Sequence, residues 1–372
     1  MVLSRWKYVC LLHAYALEIA TQRTFFRGKS ANNMRMEGFS MKILRNIKVP
    51  TGNIMIVEGE KGKLECLSIG DYGKEANLKA DFMGLTREID HVEHQKMLPL
   101  SEKWVITIST QYGCSMNCKF CDVPKVGNGI NATYNDLKNQ IVTGLSLHPE
   151  VTHTDRLNVH YARMGEPTWN WAVLEFTKNM RAELKSYIGD SLVHPVISTM
   201  LPKNNAKLAD YLETWMEIKN KDFSGDAGVQ FSINSTSDKE REDMFSGNSL
   251  TLQEISNIGR NLEMPKGRKI TLNFAVADYE VNAEKLRDLF NPEKFLVKLT
   301  PMHKTHTALE NGIETSGDYT TMYPYCHIEE DLKKAGFDVL VFIASEYEDL
   351  GRITCGNAIL SGTLPECPFE ED

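Results

Sequence analysis

Residues 104–122 read WVITISTQYGCSMNCKFCD. An apolar, β-branched strand runs into a loop that carries Cys114, Cys118 and Cys121 at CxxxCxxC spacing, with Phe120 before the last cysteine. Three thiolates on one short loop can hold three corners of a four-iron cube and leave one iron open to a small ligand. A zinc knuckle, or three unrelated core cysteines, is the plainer alternative. Zinc asks for a fourth ligand close by, and the next 30 or so residues offer only His148 and His153.

Outward from this stretch the chain alternates strand and helix. Expected strands are Trp104–Ser109, Leu157–Ala162, Pro195–Met200, Gly228–Asn234, Lys269–Ala277, Phe295–Met302 and Asp338–Ala344. Expected helices between them are Tyr134–Leu147, Asn170–Leu184, Ala206–Ile218, Leu252–Leu262, Ala283–Leu289 and Ile328–Ala335. This rhythm predicts an α/β fold with a parallel sheet. Periodicity allows both an open doubly wound sheet and a partial TIM-like barrel. In either, ligands gather at the carboxyl ends of strands. The cysteine loop, the Met164-Gly165-Glu166-Pro167 turn, Ser198, Ser232 and His303 all fall there, which argues for one site. Lys304–Tyr319 is expected as a long polar loop and the most mobile segment.

Upstream, Asn53–Glu58 and Lys63–Ile69 read as a hairpin in a small β-rich accessory region over residues 41–100. Cys66 there reads as core packing. Residues 1–40 form a basic extension, either an organellar transit peptide or residues ahead of a start at Met41, the simpler reading. The core is expected over 101–362, with an acidic tail at 363–372.

Composition narrows the classes. The 372 residues carry a net charge of -8, so the chain as a whole is not a basic nucleic-acid binder. Residues 1–50 hold nine Lys and Arg against two Asp and Glu, with Lys42, Arg45 and Lys48 as candidate phosphate contacts. Eight cysteines in this length do not make a disulfide scaffold and suit a reducing, cytoplasmic setting. No stretch reaches the length of a membrane span.

Taken in order, several of these pieces resemble the class A radical S-adenosylmethionine (SAM) methyltransferases, which modify carbon-2 or carbon-8 of adenosine in 23S rRNA. The resemblance rests on the cysteine triplet, Tyr161-Ala-Arg-Met-Gly-Glu-Pro167, Ile197-Ser-Thr199, Phe231-Ser-Ile-Asn234, Leu299-Thr-Pro-Met-His303 and Thr354-Cys-Gly-Asn357. It runs from about residue 90 to 362.

The resemblance implies a partial (β/α)6 TIM-like barrel of the radical SAM type with a small β-rich N-terminal extension. It implies a 4Fe-4S cluster on Cys114, Cys118 and Cys121. Gly165 and Glu166 would meet the methionine amine of SAM, a sensible place for a carboxylate. Ser198, Ser232, Ile233, Asn234 and His303 would contact the adenosine. Cys355 would be the methyl carrier: one SAM methylates it, and a radical from a second SAM activates the thiomethyl for addition to adenine. Glu93 is the candidate base for the adduct, with His94 as the alternative. RNA as substrate and an electron donor such as flavodoxin or ferredoxin follow from the same likeness. Other outcomes on DNA, a nucleotide or a peptide, and a non-enzymatic metal-binding protein, are the alternatives.

Two departures stand out. The family's second, resolving cysteine falls on Thr107, and a hydroxyl forms no disulfide. Cys326 or Cys66 would have to replace it. Residues 1–85 show no match to the family's RNA-contacting domain.

Overall fold

The computed structural model describes residues 40–87, 96–314, 321–363 and 367–369. Three antiparallel strands come first: β1 (Ile43–Val49), β2 (Gly52–Gly59) and β3 (Gly62–Ile69). A short β4 (Leu78–Lys79) follows. Next come β5 (Lys103–Ile108) and the hairpin of β6 (Gln111–Gly113) with β7 (Asn128–Asn131). The remaining strands are β8 (Arg156–Tyr161), β9 (Val193–Thr199), β10 (Gly228–Ser232), β11 (Ile270–Val276), β12 (Phe295–Pro301) and β13 (Val339–Phe342). The large sheet has the order β1-β2-β3-β5-β8-β9-β10-β11-β12-β13-β4, and every pair from β5 to β13 is parallel.

Six strand–helix–strand crossovers build that parallel series. Their helices are Tyr134–Ser146, Ala172–Ile188, Leu208–Lys221, Leu252–Asn261, Ala283–Leu289 and Cys326–Lys334. Two begin in reciprocal capping boxes, Thr133 with Asp136 and Thr251 with Glu254. Leu137, Ile141 and Leu145 bury one helix face against Ile106 and its neighbours. The expected polar loop after β12 contains a helical turn, His306–Glu310, started by a Thr305 cap. Residues 315–320 of that loop lie outside the described residues.

The strands alternate. Trp104, Ile106, Leu157, Val159, Ile197, Phe231, Leu272 and Val297 are buried on the helix side. The opposite face carries Lys103, Thr107, Arg156, Asn158, His160, Ser198, Gln230, Asn273 and Lys298, all partly accessible. This polar face lines a lumen. The chain between β3 and β4 shows that the sheet must curve. A flat sheet would put β3 and β4 about 38 Å apart, yet the residues joining them span at most about 31 Å fully extended. Asp71, within that tether, lies 2.8 Å from Lys103 at the start of β5. The next residue, Tyr72, hydrogen-bonds Ser345 beyond β13. The result is a partial barrel whose open flank is crossed by the chain itself. Among the described residues no helix is long and apolar enough to cross a membrane.

Candidate active site at the carboxyl ends of the strands

The cysteine loop is closed at its base. Gly113 has φ +78°, and a Cβ there would lie 2.2 Å from the Gly127 carbonyl oxygen. Only glycine lets the two backbones cross so closely. Cys114 N–H donates to that carbonyl at 2.9 Å, and the Gln111 side chain donates to Gly129 O and Asn131 Oδ1. Around the loop, outside groups take its carbonyls. Asn248 donates to Met116 O, Ser246 to Asn117 O, Asn311 to Lys119 O and Thr305 to Phe120 O.

The three thiols interact with one another electrostatically. Burial pushes the Cys114 thiol up to about 11 and raises Cys118 and Cys121 further. Such thiols ionise when a bound cation stabilises the thiolate. Met116, Met200, Met244 and Phe245, with Phe120 and Trp169, form an apolar wall around them. Among the described residues no three His, Cys, Asp or Glu side chains converge on a single metal ion. A cube binds each thiolate through a different iron, so its ligands stand further apart than those of one ion. Three loop cysteines in an apolar, partly open setting fit such a group.

The Gly-Glu-Pro turn faces this loop. Thr110 and Gln111 N–H donate to Met164 O at 2.8 and 3.2 Å. Gly165 has φ +95°, and a Cβ there would meet Gln111 Cβ at 2.5 Å. Its glycine identity therefore answers to close packing of the turn on β6. Glu166 is buried, within electrostatic reach of Cys114 and Cys118. Its carboxylate accepts from Thr168 N (3.1 Å), Thr168 Oγ1 (2.8 Å) and Met200 N (3.0 Å). Burial raises its pKa, and these hydrogen bonds pull it back down. The Thr199 hydroxyl is a further donor, so the buried carboxylate is held in one orientation from both oxygens.

Ser198 and Ser232 both lie on the lumen face, one strand apart. Ile233 and Asn234 continue β10, their N–H groups donating to Asn273 O. The Asn234 side chain is spent on the protein: Oδ1 accepts from Ala275 N at 3.0 Å and Nδ2 faces Met244 Sδ. The periodicity missed the helix Asp238–Met244, which carries Arg241. That buried guanidinium donates to Ser232 O, Ile233 O, Ser249 Oγ and Leu250 O, and so fixes the strand end. His303 Nδ1 lies 3.0 Å from Asp349 Oδ1, and Asp349 also accepts from Thr354 Oγ1 at 2.6 Å.

Cys355 is exposed, and its loop rests on the cysteine motif. Asp122 N donates to Gly356 O at 2.7 Å, and Cys355 is in electrostatic contact with Cys121 and with Lys298. Beneath it runs a buried chain of two ion pairs. Arg352 Nη2 meets Asp122 Oδ2 at 2.6 Å, and Asp122 Oδ1 accepts from Thr307 N and Oγ1. Arg163 Nη2 meets Glu65 Oε2 at 2.7 Å and, through Nη1, donates to Arg352 O at 2.9 Å. Five segments far apart in sequence are joined there, and no local motif announces it.

Thr107 sits on the lumen face of β5, opposite His160 and Leu67. Cys66, one residue before Leu67, points to the other face of β3 and is fully buried. Cys326 starts its helix, partly accessible. Cys367 Sγ lies 3.6 Å from Gly351 O. Glu93 and His94 lie outside the described residues.

No family model matches the chain. Curated relatives do. The dual-specificity RNA methyltransferase RlmN of Sorangium cellulosum is 24% identical over 265 residues, covering 70% of this chain and 62% of that protein. A protein of Pseudothermotoga lettingae named "Probable dual-specificity RNA methyltransferase RlmN" is 27% identical over 210 residues, 55% of this chain and 56% of its own. One of Aquifex aeolicus with the same name is 23% identical over 220 residues, 57% and 60%. The chain thus spans less than two thirds of these relatives' length. A crystal structure of a radical SAM methyltransferase from Sphaerobacter thermophilus matches the fold with TM-score 0.55 and 16% identity, over 87% of this chain and 82% of that one. The chain is thus similar in sequence to these RNA methyltransferases and in fold to the radical SAM methyltransferase structure.

Proposed function

We propose that the chain methylates an adenine carbon in RNA through a methylated Cys355, using SAM and a 4Fe-4S cluster on Cys114, Cys118 and Cys121. One observation carries this reading: the Cys355 loop is packed on the cysteine motif, with Asp122 N bonded to Gly356 O. When bound, the cluster supplies the electron for reductive cleavage of SAM. Glu166 receives the methionine ammonium with a carboxylate already oriented by Thr168 and Met200. Gly165 keeps that turn against β6. Ser198 and Ser232 offer hydroxyls to the nucleoside, and His303, oriented by Asp349, closes the far side. Asn234 contributes through backbone position, since its amide is committed to β11. Cys355, exposed and beside Cys121, takes a methyl group and presents it to substrate. Glu93 is the proposed base. A small reduced electron carrier such as flavodoxin or ferredoxin, and a cytoplasmic setting, complete the reading.

Thr107 supports a variant outcome. Cys66 faces away from the lumen, so it does not replace the missing thiol, which leaves Cys326 among the two alternatives. Without a resolving thiol, Cys355 stays bonded to its product. The test is to reconstitute the chain without oxygen, reduce it, add methyl-labelled SAM and map the label. About four irons with sulfide and label on Cys355 are expected. Zinc without sulfide, or no label on Cys355, overturns the reading. Added RNA is then expected to give a stable protein–RNA adduct. Clean turnover by Cys326→Ala would remove the adduct from the account.

A further inference from the structure

At the opposite end of the barrel basic side chains gather around the lumen. Lys103, Arg156, His194 and Arg268 sit at the starts of four strands, β5, β8, β9 and β11, and Asp226 precedes β10. The strands run parallel, so all five residues lie at the mouth away from the cysteine loop. Lys74, on the tether between β3 and β4, is exposed beside them, within electrostatic reach of Lys103, Arg156, Arg268 and Asp226.

The pairing there is incomplete. Lys103 takes Asp71 at 2.8 Å. Asp226 is shared between Arg156 at 3.5 Å and His194 at 3.2 Å. Arg156 Nε donates to Asn158. Arg268 has a neutral partner, donating to His194 Nε2. Among the described residues, Lys74, Lys103, Arg156 and Arg268 thus face two carboxylates, Asp71 and Asp226. Burial holds His194 at about 4, so it adds no charge near neutrality. Lys74 and Arg268 are both lowered, by burial first and by their basic neighbours next. Like charges gathered at a partly open mouth stand at a cost unless an anion joins them. Guanidinium forks and ammonium groups together suit the tetrahedral oxygens of a phosphoryl group.

We infer that this mouth is a binding site for a phosphoryl oxyanion, held by Lys74, Arg156 and Arg268 with Lys103 at its edge. The site is independent of the cysteine chemistry and can be tested on the metal-free chain. The measurement is the thermal midpoint of the full chain titrated with inorganic phosphate, chloride replacing it at constant ionic strength. A saturable rise is expected for the wild type. For Lys74→Gln the expected result has two parts: an apparent Kd weaker by about tenfold, and a higher midpoint in phosphate-free buffer because repulsion is relieved. Arg268→Gln is expected to lose the same response, and the exposed Lys178→Gln to keep it. Parallel titrations with adenosine 5′-monophosphate, adenosine and a short oligoribonucleotide separate the sources. Tighter binding of the nucleotide than of phosphate assigns a phosphomonoester; competition by the oligoribonucleotide assigns a backbone phosphate. A non-saturable rise, equal responses in wild type and Lys74→Gln, or a lower phosphate-free midpoint in Lys74→Gln overturns the site.

Discussion

The two ends of the barrel are both polar, but they are balanced differently. At the carboxyl end two buried ion pairs join distant segments, Asp122 with Arg352 and Glu65 with Arg163, and His303 lies beside Asp349, while Glu166 and Arg241 are held by neutral groups. At the other end one cluster of four basic groups, Lys74, Lys103, Arg156 and Arg268, has Asp71 and Asp226 as its carboxylate partners among the described residues. Matched charges fix geometry without a ligand, whereas a surplus leaves work for one. The difference separates a site whose protein parts are set in advance from one that an anion would complete.

The largest expected effect tests the matched end. Arg352→Met leaves Asp122 buried and uncompensated and should cost about 3–5 kcal/mol in urea unfolding, with Arg352→Lys recovering part. A neutral result would mean that the pair is not what holds the Cys355 loop. Protonation tests both ends at once, with opposite signs. Burial pushes His194 down to about 4. Its contribution is present above pH 6.5 and lost as pH falls towards 4, about 3 kcal/mol in all. His160, also lowered, adds in the same direction. Burial pushes Glu348 at the carboxyl end up to about 7. Its contribution is present below the ordinary carboxyl pKa and lost as pH rises through 7, about 2–3 kcal/mol. Stability measured from pH 4 to 8 should therefore rise less with pH between about 4 and 6.5 in His194→Gln, and rise more between about 4.5 and 7 in Glu348→Gln. If both substitutions change the slope in the same direction, the contrast between the ends fails.

Gly165→Ala should cost roughly 2 kcal/mol and loosen the Glu166 turn, because a Cβ enters Gln111 at positive φ. A thermal midpoint unchanged by the substitution would show that the turn has room. The smallest effect is expected at Lys119–Asp243, a 2.6 Å pair on partly exposed side chains. Lys119→Gln should change unfolding by under about 1 kcal/mol, which makes it the control for the buried pairs.

Period-2 strands and 3.6-period helices made the six crossovers readable from sequence, because each buries one clear face. The helix Asp238–Met244 escaped, since DKEREDM has a single apolar residue and no stripe. The β6–β7 hairpin escaped because Asn-Gly-Ile-Asn pairs through glycine and amide contacts, not alternation. Cysteines and the Gly-Glu-Pro turn were legible as local spacing. Arg352 was not, because its partner Asp122 is 230 positions away. Arg241 likewise acts through carbonyls, which carry no sequence signal.

The tether across the open flank has a consequence for how the chain is made. β4 pairs with β13, Phe342 opposite Leu78, and Lys79 meets Glu329 at 3.1 Å across 250 positions. Contacts that distant close late, after the loops between them have ordered. During synthesis β1–β3 emerge first, and the crossovers can stack behind them one by one. The segment Gly70–Lys79 has no ladder to join until residues 339–342 leave the ribosome. Truncated or stalled chains would therefore share one defect, an unlatched flank that exposes the polar lumen to the cell before its last strand arrives.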